Sequence, residues 1–158
     1  MKFIEIRKLN YDRSNTRHNK DYHINLNDWI KNPYSSLKSK LFIEISSVIV
    51  FVLQKTKVSP NFITILNSLL VLIASYFLAF GMNDLKLIGI FIFFFQGALD
   101  WADGLLAKIK KQTSDVGYIL DPWSGFLNYN LFVISLGLYL YNQLNSEVFF
   151  YLIIAYLC

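Results

Sequence analysis

Between Pro60 and Phe80 the chain runs for about 21 residues without a charged side chain, long enough to cross a bilayer as a helix. Two more apolar stretches follow, Leu87 to Ala107 and Tyr118 to Tyr141. Lipid offers backbone N–H and C=O groups no water partner, so segments of this length are stable there as helices. An all-α, polytopic transmembrane helical bundle is the expected fold. Pro60 suits a first helical turn, and Gly81 suits a helix end. Lys40 to Val52 is apolar but short and carries Glu44, which fits a helix lying in the membrane interface. Residues 1–58 are expected to form a polar N-terminal and interfacial amphipathic, helical segment, cytoplasmic and partly irregular up to about Lys40. Residues 59–158 form the membrane domain. Val148 to Cys158 is too short to span, so the domain is expected to be incomplete at its C-terminus, with three to four spans present.

Composition supports this class. Of the 158 residues, 54% are hydrophobic and 17% aromatic, with mean hydropathy +0.39, too apolar for an ordinary soluble domain. The formal net charge is +4, and its distribution matters more than its size. Eleven of the fifteen Lys and Arg precede Ser59, and Lys108, Lys110 and Lys111 cluster after the second apolar stretch. Basic residues gather on the cytoplasmic side. That places the N-terminus and the loop 108–117 inside, and the loops 81–86 and 142–147 outside. A nucleic-acid partner is not expected, because most of the chain belongs in lipid. The one cysteine, Cys158, excludes an internal disulfide, and the polar first forty residues hold no cleavable signal peptide.

Asp100, Asp103 and Asp121 stand inside or at the edge of these apolar segments. An ionised Asp at the centre of a bilayer costs about 3 kcal/mol or more, so such residues mark function. On a helix, Asp100, Asp103, Gly104, Ala107 and Lys108 fall on one stripe. Neighbouring carboxylates repel unless a cation lies between them. Hard oxygen ligands suit a divalent ion such as Mg²⁺. Gly104 and Ala107 leave the backbone approachable, and Lys108 can meet a phosphate as a point charge. Gly117 and Asp121, four apart, can face the same cavity. The pattern suits a metal-bound diphosphate at the cytoplasmic edge of the bilayer.

The run D-W-A-D-G-L-L-A-K from Asp100, then eight residues, then G-Y-I-L-D ending at Asp121, closely resembles the signature of the CDP-alcohol phosphotransferase (CDP-alcohol phosphatidyltransferase) family. Ser59-Pro60-Asn61 with Thr64 is similar to the start of that family's first span. The resemblance implies six spans, Mg²⁺ or Mn²⁺, and transfer of a phosphoalcohol from a CDP-alcohol, such as CDP-diacylglycerol, to a hydroxyl acceptor with release of CMP. It implies Asp100, Asp103 and Asp121 as metal ligands, Asp121 also at the catalytic step, and Gly104, Ala107, Lys108 and Ser114 along the CDP moiety. Asn61 and Thr64 would line the nucleotide pocket. A homodimer among membrane lipids is a further family trait. The chain departs from the signature at Lys108, where the family has arginine, at Pro122, where serine is common, and at Gly125, where the family has a fourth acid. That acid resembles both a metal ligand and the general base. Without it the base is unassigned, and a catalytically impaired member that binds metal or nucleotide, or pairs with an active copy, is the second reading. A cation transporter is the third, but its acids belong at mid-bilayer.

Simpler roles compete for the same residues. Asp100 and Asp103 can cap a span at the water interface. Asp121 before Pro122 looks like an N-cap followed by a first-turn proline. Lys108, Lys110 and Lys111 can form a positive-inside loop, Ser114 can be a loop hydroxyl, and the glycines can serve helix packing. Asp84, Asp115 and Glu147 read as solvated loop acids, and Glu44 as the polar side of the interfacial helix. His18 and His23 sit in a polar tail without a Cys or a third His, so a metal role is not expected of them.

Overall fold

The computed structural model describes residues 1–22 and 30–157, so His23 and Cys158 lie outside it. Among the described residues the chain is all-helical, with no strands and 87% helix. Six helices follow in order: α1 (Phe3–Tyr22), α2 (Pro33–Leu53), α3 (Pro60–Phe80), α4 (Asn83–Lys110), α5 (Asp115–Leu144) and α6 (Glu147–Leu157). Their bounds follow local chemistry. Ser59 Oγ accepts from Phe62 N–H at 3.2 Å at the start of α3, and Pro60 there has no N–H to leave unsatisfied. At the other end Gly81 N–H donates to Phe77 O at 2.9 Å. A Cβ on Gly81 would lie 2.5 Å from that oxygen and 2.9 Å from Leu85 Cβ, so the chain turns where only glycine fits.

α3 and α4 are long and apolar enough to cross a membrane. α5 is a single helix over the third expected span, but Asn128, Asn130 and its tyrosines leave it less apolar than those two. Asp84, Asp115 and Glu147 differ from the loop reading: each sits in a helical first turn, where a carboxylate is favoured by the helix dipole.

The chain divides into two compact units. The first contains Met1–Ile63 and Gly97–Thr113. Here the stretch expected to be partly irregular is helical over Phe3–Tyr22. Its sequence is polar almost throughout, so tertiary contacts with α2 hold it. Ile6 is fully buried, and Asn10 is buried among serines of α2. Asn10 Nδ2 donates toward Ile43 O, Ser46 Oγ and Ser47 Oγ at 3.1, 2.9 and 3.0 Å. Small serines let the two backbones approach and supply the acceptors a buried amide needs. At the rim, Arg7 grips Glu44 through Nε at 2.7 and 2.8 Å, and Tyr11 Oη donates to the same carboxylate at 2.8 Å. Glu44 is therefore not merely a solvated polar face.

The Arg7 hydrogen bond holds the Glu44 carboxyl below the usual range, and the Tyr11 bond adds to it. A carboxyl depressed in the folded state stabilises above its unfolded value, near pH 4.3, and that contribution is lost as pH falls through the folded value. Both partners are substantially exposed, with side-chain exposures of 50% and 38%, so solvent screens the pair and the effect is local. Amide exchange is expected to show α1 losing protection below about pH 4, whereas Glu44→Gln has the weaker protection already at pH 7. Equal protection in the two proteins at pH 7 would refute the clamp.

Within the same unit, the C-terminal half of α4 packs through Gly97, where a Cβ would stand 2.5 Å from Phe42 Cε2. Trp101 meets the Phe42 ring edge-on at 6.1 Å and the His18 ring at 5.9 Å. Lys110 Nζ donates to Thr56 O at 2.8 Å and Val58 O at 2.7 Å. It thus ties the end of α4 to the α2–α3 linker, which a lysine serving only loop charge would not do.

The second unit contains Thr64–Gln96 and Ser114–Cys158. A Cβ on Gly89 would lie 2.8 Å from Ala74 O, so glycine sets the close approach of α3 and α4. Asn142 Nδ2 caps Ala79 O at 2.9 Å. α6 folds back on α5, with a Cβ at Gly137 reaching 2.5 Å from Ile153 Cγ1. The turn between them is made by Asn145 at φ 48°, a left-handed position that Asn tolerates.

Candidate functional site

The stripe on α4 is built from good helix formers around its acids. Ala98, Ala102, Leu105 and Leu106 are fully buried and fix which way the helix faces. Asp103 is buried at 4% exposure, Asp100 is half-buried, and Lys108 is exposed. Asp103 Oδ1 accepts from Gly104 N–H. Burying a carboxylate this deeply is costly unless cations or hydrogen bonds hold it. Gly104 lets another side chain approach this face: the position a Cβ would take is 2.5 Å from Arg13 Nη2 and 3.2 Å from Nη1. A guanidinium from α1 therefore lies against the residue next to Asp103. Sequence reasoning did not single out Arg13. The available signal was the turn-spaced cations Arg13, Arg17 and Lys20.

On α5 the structure redistributes roles. Ser114 is the N-cap, extended at φ −138° and ψ 154°, and its Oγ accepts from Gly117 N–H at 3.0 Å. Two residues expected along the substrate are thus bonded to each other as a helix start. The N-cap reading of Asp121 is overturned, because Asp121 is helical and Pro122 lies inside α5. Pro122 has no N–H for the carbonyl of Tyr118. Asp121 is exposed, and its carbonyl accepts from Ser124 Oγ at 3.0 Å. Ser124 and Asn128, one and three residues from Gly125, are buried at 1% and 4%. Asn128 Nδ2 points to Gln96 Oε1 at 3.4 Å. At Gly125 a Cβ would meet nothing within 4 Å.

On α3, Asn61 is half-buried and Thr64 is buried at 5%. One turn on, Asn67 and Ser68 are buried at 1% and 9%, and neither Asn67 amide atom nor Ser68 Oγ has a hydrogen-bond partner among the described residues. Asn67 also escaped sequence reasoning. Its signal was helical spacing from Asn61 and Thr64 in an otherwise apolar run.

Asp100, Asp103, Gly104, Ala107, Lys108 and Asn61 belong to the first unit; Thr64, Ser114, Gly117 and Asp121 belong to the second. The first group is brought together on α4 apart from Asn61. Among the described residues, no three or more His, Cys, Asp or Glu side chains gather as a group able to hold one ion. The donor chemistry of the α4 pair still fits a hard divalent cation: two carboxylates one turn apart, one of them buried.

The family model of the CDP-alcohol phosphatidyltransferases matches residues 57–157, which takes in α3 to α6 and leaves α1 and α2 outside. No match is found among curated proteins or among solved structures.

Proposed function

Because the chain belongs to the CDP-alcohol phosphatidyltransferase family, we propose that it moves a phosphoalcohol from a CDP-alcohol to a hydroxyl acceptor and releases CMP. Membership itself implies phosphoalcohol transfer in phospholipid synthesis, membrane association and general use of divalent metal ions. The observation that carries the finer reading is the α4 stripe, with a buried Asp103 next to Gly104, against which the Arg13 guanidinium lies.

In this reading Asp100, Asp103 and Asp121 hold Mg²⁺ or Mn²⁺. A bound divalent ion supplies charge neutralisation at the diphosphate. Gly104 and Ala107 leave the helix surface low enough for that diphosphate to lie along it, and Lys108 adds a point charge at its end. Asn61 and Thr64 orient the nucleotide, and the Ser114–Gly117 cap borders the same substrate. The acceptor oxygen bonds to the β-phosphorus as the bond to the CMP oxygen breaks. The acceptor proton passes to water or to a substrate phosphate oxygen, since no side chain of this chain is assigned as base. The basic N-terminus and the lysines at the C-terminal end of α4 support a site facing the cytoplasm. CDP-diacylglycerol is one donor of the required class.

A second reading has a specific observation behind it. Position 125 carries no acid and has open space around it, which suits a catalytically impaired member that retains metal or nucleotide binding, alone or beside an active copy.

Membranes bearing the chain are expected to release CMP from CDP-diacylglycerol or CDP-choline when given Mg²⁺ and an alcohol acceptor. If release with every donor and acceptor equals that of membranes lacking the chain, the active-transferase reading fails.

A further inference from the structure

α3, α4 and α5 each carry an amide at the same level of the second unit. α3 and α4 run antiparallel from the turn at Gly81, and a Cβ on Gly89 would lie 2.8 Å from Ala74 O. Asn67 precedes Ala74 by seven residues and Gln96 follows Gly89 by seven, two helical turns each. Gln96 in turn meets Asn128, whose Nδ2 points to its Oε1 at 3.4 Å. The Phe93 and Phe132 rings meet one turn away at 5.0 Å. The layer of Asn67, Ser68, Gln96 and Asn128 is uncharged. Asn67, Ser68 and Asn128 are at least nine-tenths buried. Yet both Asn67 amide atoms, Ser68 Oγ and Asn128 Oδ1 have no hydrogen-bond partner among the described residues.

An open groove of about 580 Å³ lies between α3 and α5 in the same unit, walled by Leu72, Ile73, Tyr76, Leu131, Ile134 and Leu138. It begins one turn beyond Ser68 on α3 and one turn beyond Asn128 on α5. No charged residue lines it. The hydroxyls of Ser75 and Ser135, which also line it, donate to Val71 O at 2.8 Å and Phe132 O at 2.9 Å. Both protons are thus committed to their own helices. The wall is largely apolar, and the unpaired polar atoms lie beside one end.

We propose that the groove and the polar layer bind a neutral lipid alcohol, with its chain against α3 and α5 and its hydroxyl on Asn67, Ser68 and Asn128. Buried polar atoms are costly to leave unpaired. An alcohol O–H both donates and accepts, so it can serve the amides and Ser68 together. A charged headgroup finds no counter-charge in this layer and does not suit it. An apolar chain joined to one hydroxyl matches both parts, whereas water matches only the layer. The proposal deepens the transferase reading, on which its assignment of the lipid as acceptor rests. On α3 the layer starts one turn after Thr64, and on α5 it follows Asp121 by seven residues.

The test places the full chain in phosphatidylcholine nanodiscs with EDTA and no CDP-alcohol, and photolyses a diacylglycerol carrying a diazirine in one acyl chain. Labelling is expected on residues 72–80 and 131–138, and unlabelled dioleoylglycerol should compete. Acetylating the competitor's hydroxyl is expected to weaken competition roughly tenfold, the loss of hydrogen bonds to buried partners. Asn67→Leu should lower labelling to a similar degree while raising Tm in discs without glyceride, since it removes the unpaired amide. Ile73→Trp narrows the groove and gives a second loss without touching the layer. Asn130→Leu alters an amide already bonded to Phe126 O at 2.7 Å and is expected to change labelling by less than about twofold. With neither metal nor donor present, silence in the CMP assay leaves this result intact, and absent labelling leaves CMP release to soluble alcohols intact. Equal competition by the free and acetylated glycerides would leave water as the partner of the layer and sink the proposal. Labelling that is absent, or equal in Asn67→Leu, Ile73→Trp and Asn130→Leu, would overturn the site.

Discussion

Asp103→Asn is expected to lower metal-dependent CMP release on the order of 10²-fold or more, the scale of removing one preorganised electrostatic group from an active site. Asparagine keeps the size of the side chain and the oxygen that accepts from Gly104 N–H. It removes the charge and one of two hard oxygen ligands at a position buried to 4% exposure. The fold is therefore retained while the ion is lost. Mn²⁺ should raise the Tm of the parent protein, since any ligand that favours the folded state shifts unfolding by mass action, and it should leave the variant unmoved. Asp100 is less buried, so Asp100→Asn is expected to follow the same direction with a smaller effect. CMP release that persists in Asp103→Asn at the parent rate, with the same Mn²⁺ dependence, would end the assignment of this carboxylate to the metal.

Some of this was readable in the chain and some was not, for physical reasons that differ by residue. The bounds of α3 follow from an uncharged run closed by Pro60 and Gly81, which are local signals, and the structure keeps them. The α4 stripe was readable for the same reason, because three- and four-residue spacing is enough to define a helix face. The extent and packing of α1 were not readable. Its stability comes from Asn10 and Arg7 meeting residues more than thirty positions away, and a window along the sequence contains no such partner. Asp121 was ambiguous because proline tolerates a first turn and, at a cost, a helix interior. Ser114 and Gly117 resolve it, since the cap forms seven residues earlier and the helix continues through Pro122. Arg13 and Asn67 could be seen as spaced polar residues, but nothing local distinguishes a solvated arginine from one lying on Gly104. The acids that define the site were thus visible, while the groups placed around them by tertiary packing were not.

Gly125→Asp is expected to increase CMP release by about tenfold or more, because a positioned general base contributes roughly 10²- to 10⁴-fold and this chain has none assigned. The substitution is sterically free, since a Cβ at this position meets nothing within 4 Å and the glycine is helical without a positive φ. Helix propensity favours the change by a few tenths of a kcal/mol, so a gain cannot be ascribed to relief of a folding defect unless Tm rises in step with activity. Two controls isolate the carboxylate. Gly125→Asn adds nearly the same volume without a charge and is expected to give no gain. The double variant with Asp103→Asn is expected to lose the gain entirely, because groups acting on one reaction centre are strongly non-additive. Position 125 also follows Asp121 by four residues, on the same helix face. A second carboxylate there repels the first unless a cation lies between them, so the Mn²⁺-induced rise in Tm should be larger than in the parent. If Gly125→Asp gives neither faster CMP release nor stronger Mn²⁺ stabilisation, the absent acid is not what limits this chain. The impaired-member reading would then lose its one structural support, the open space at position 125.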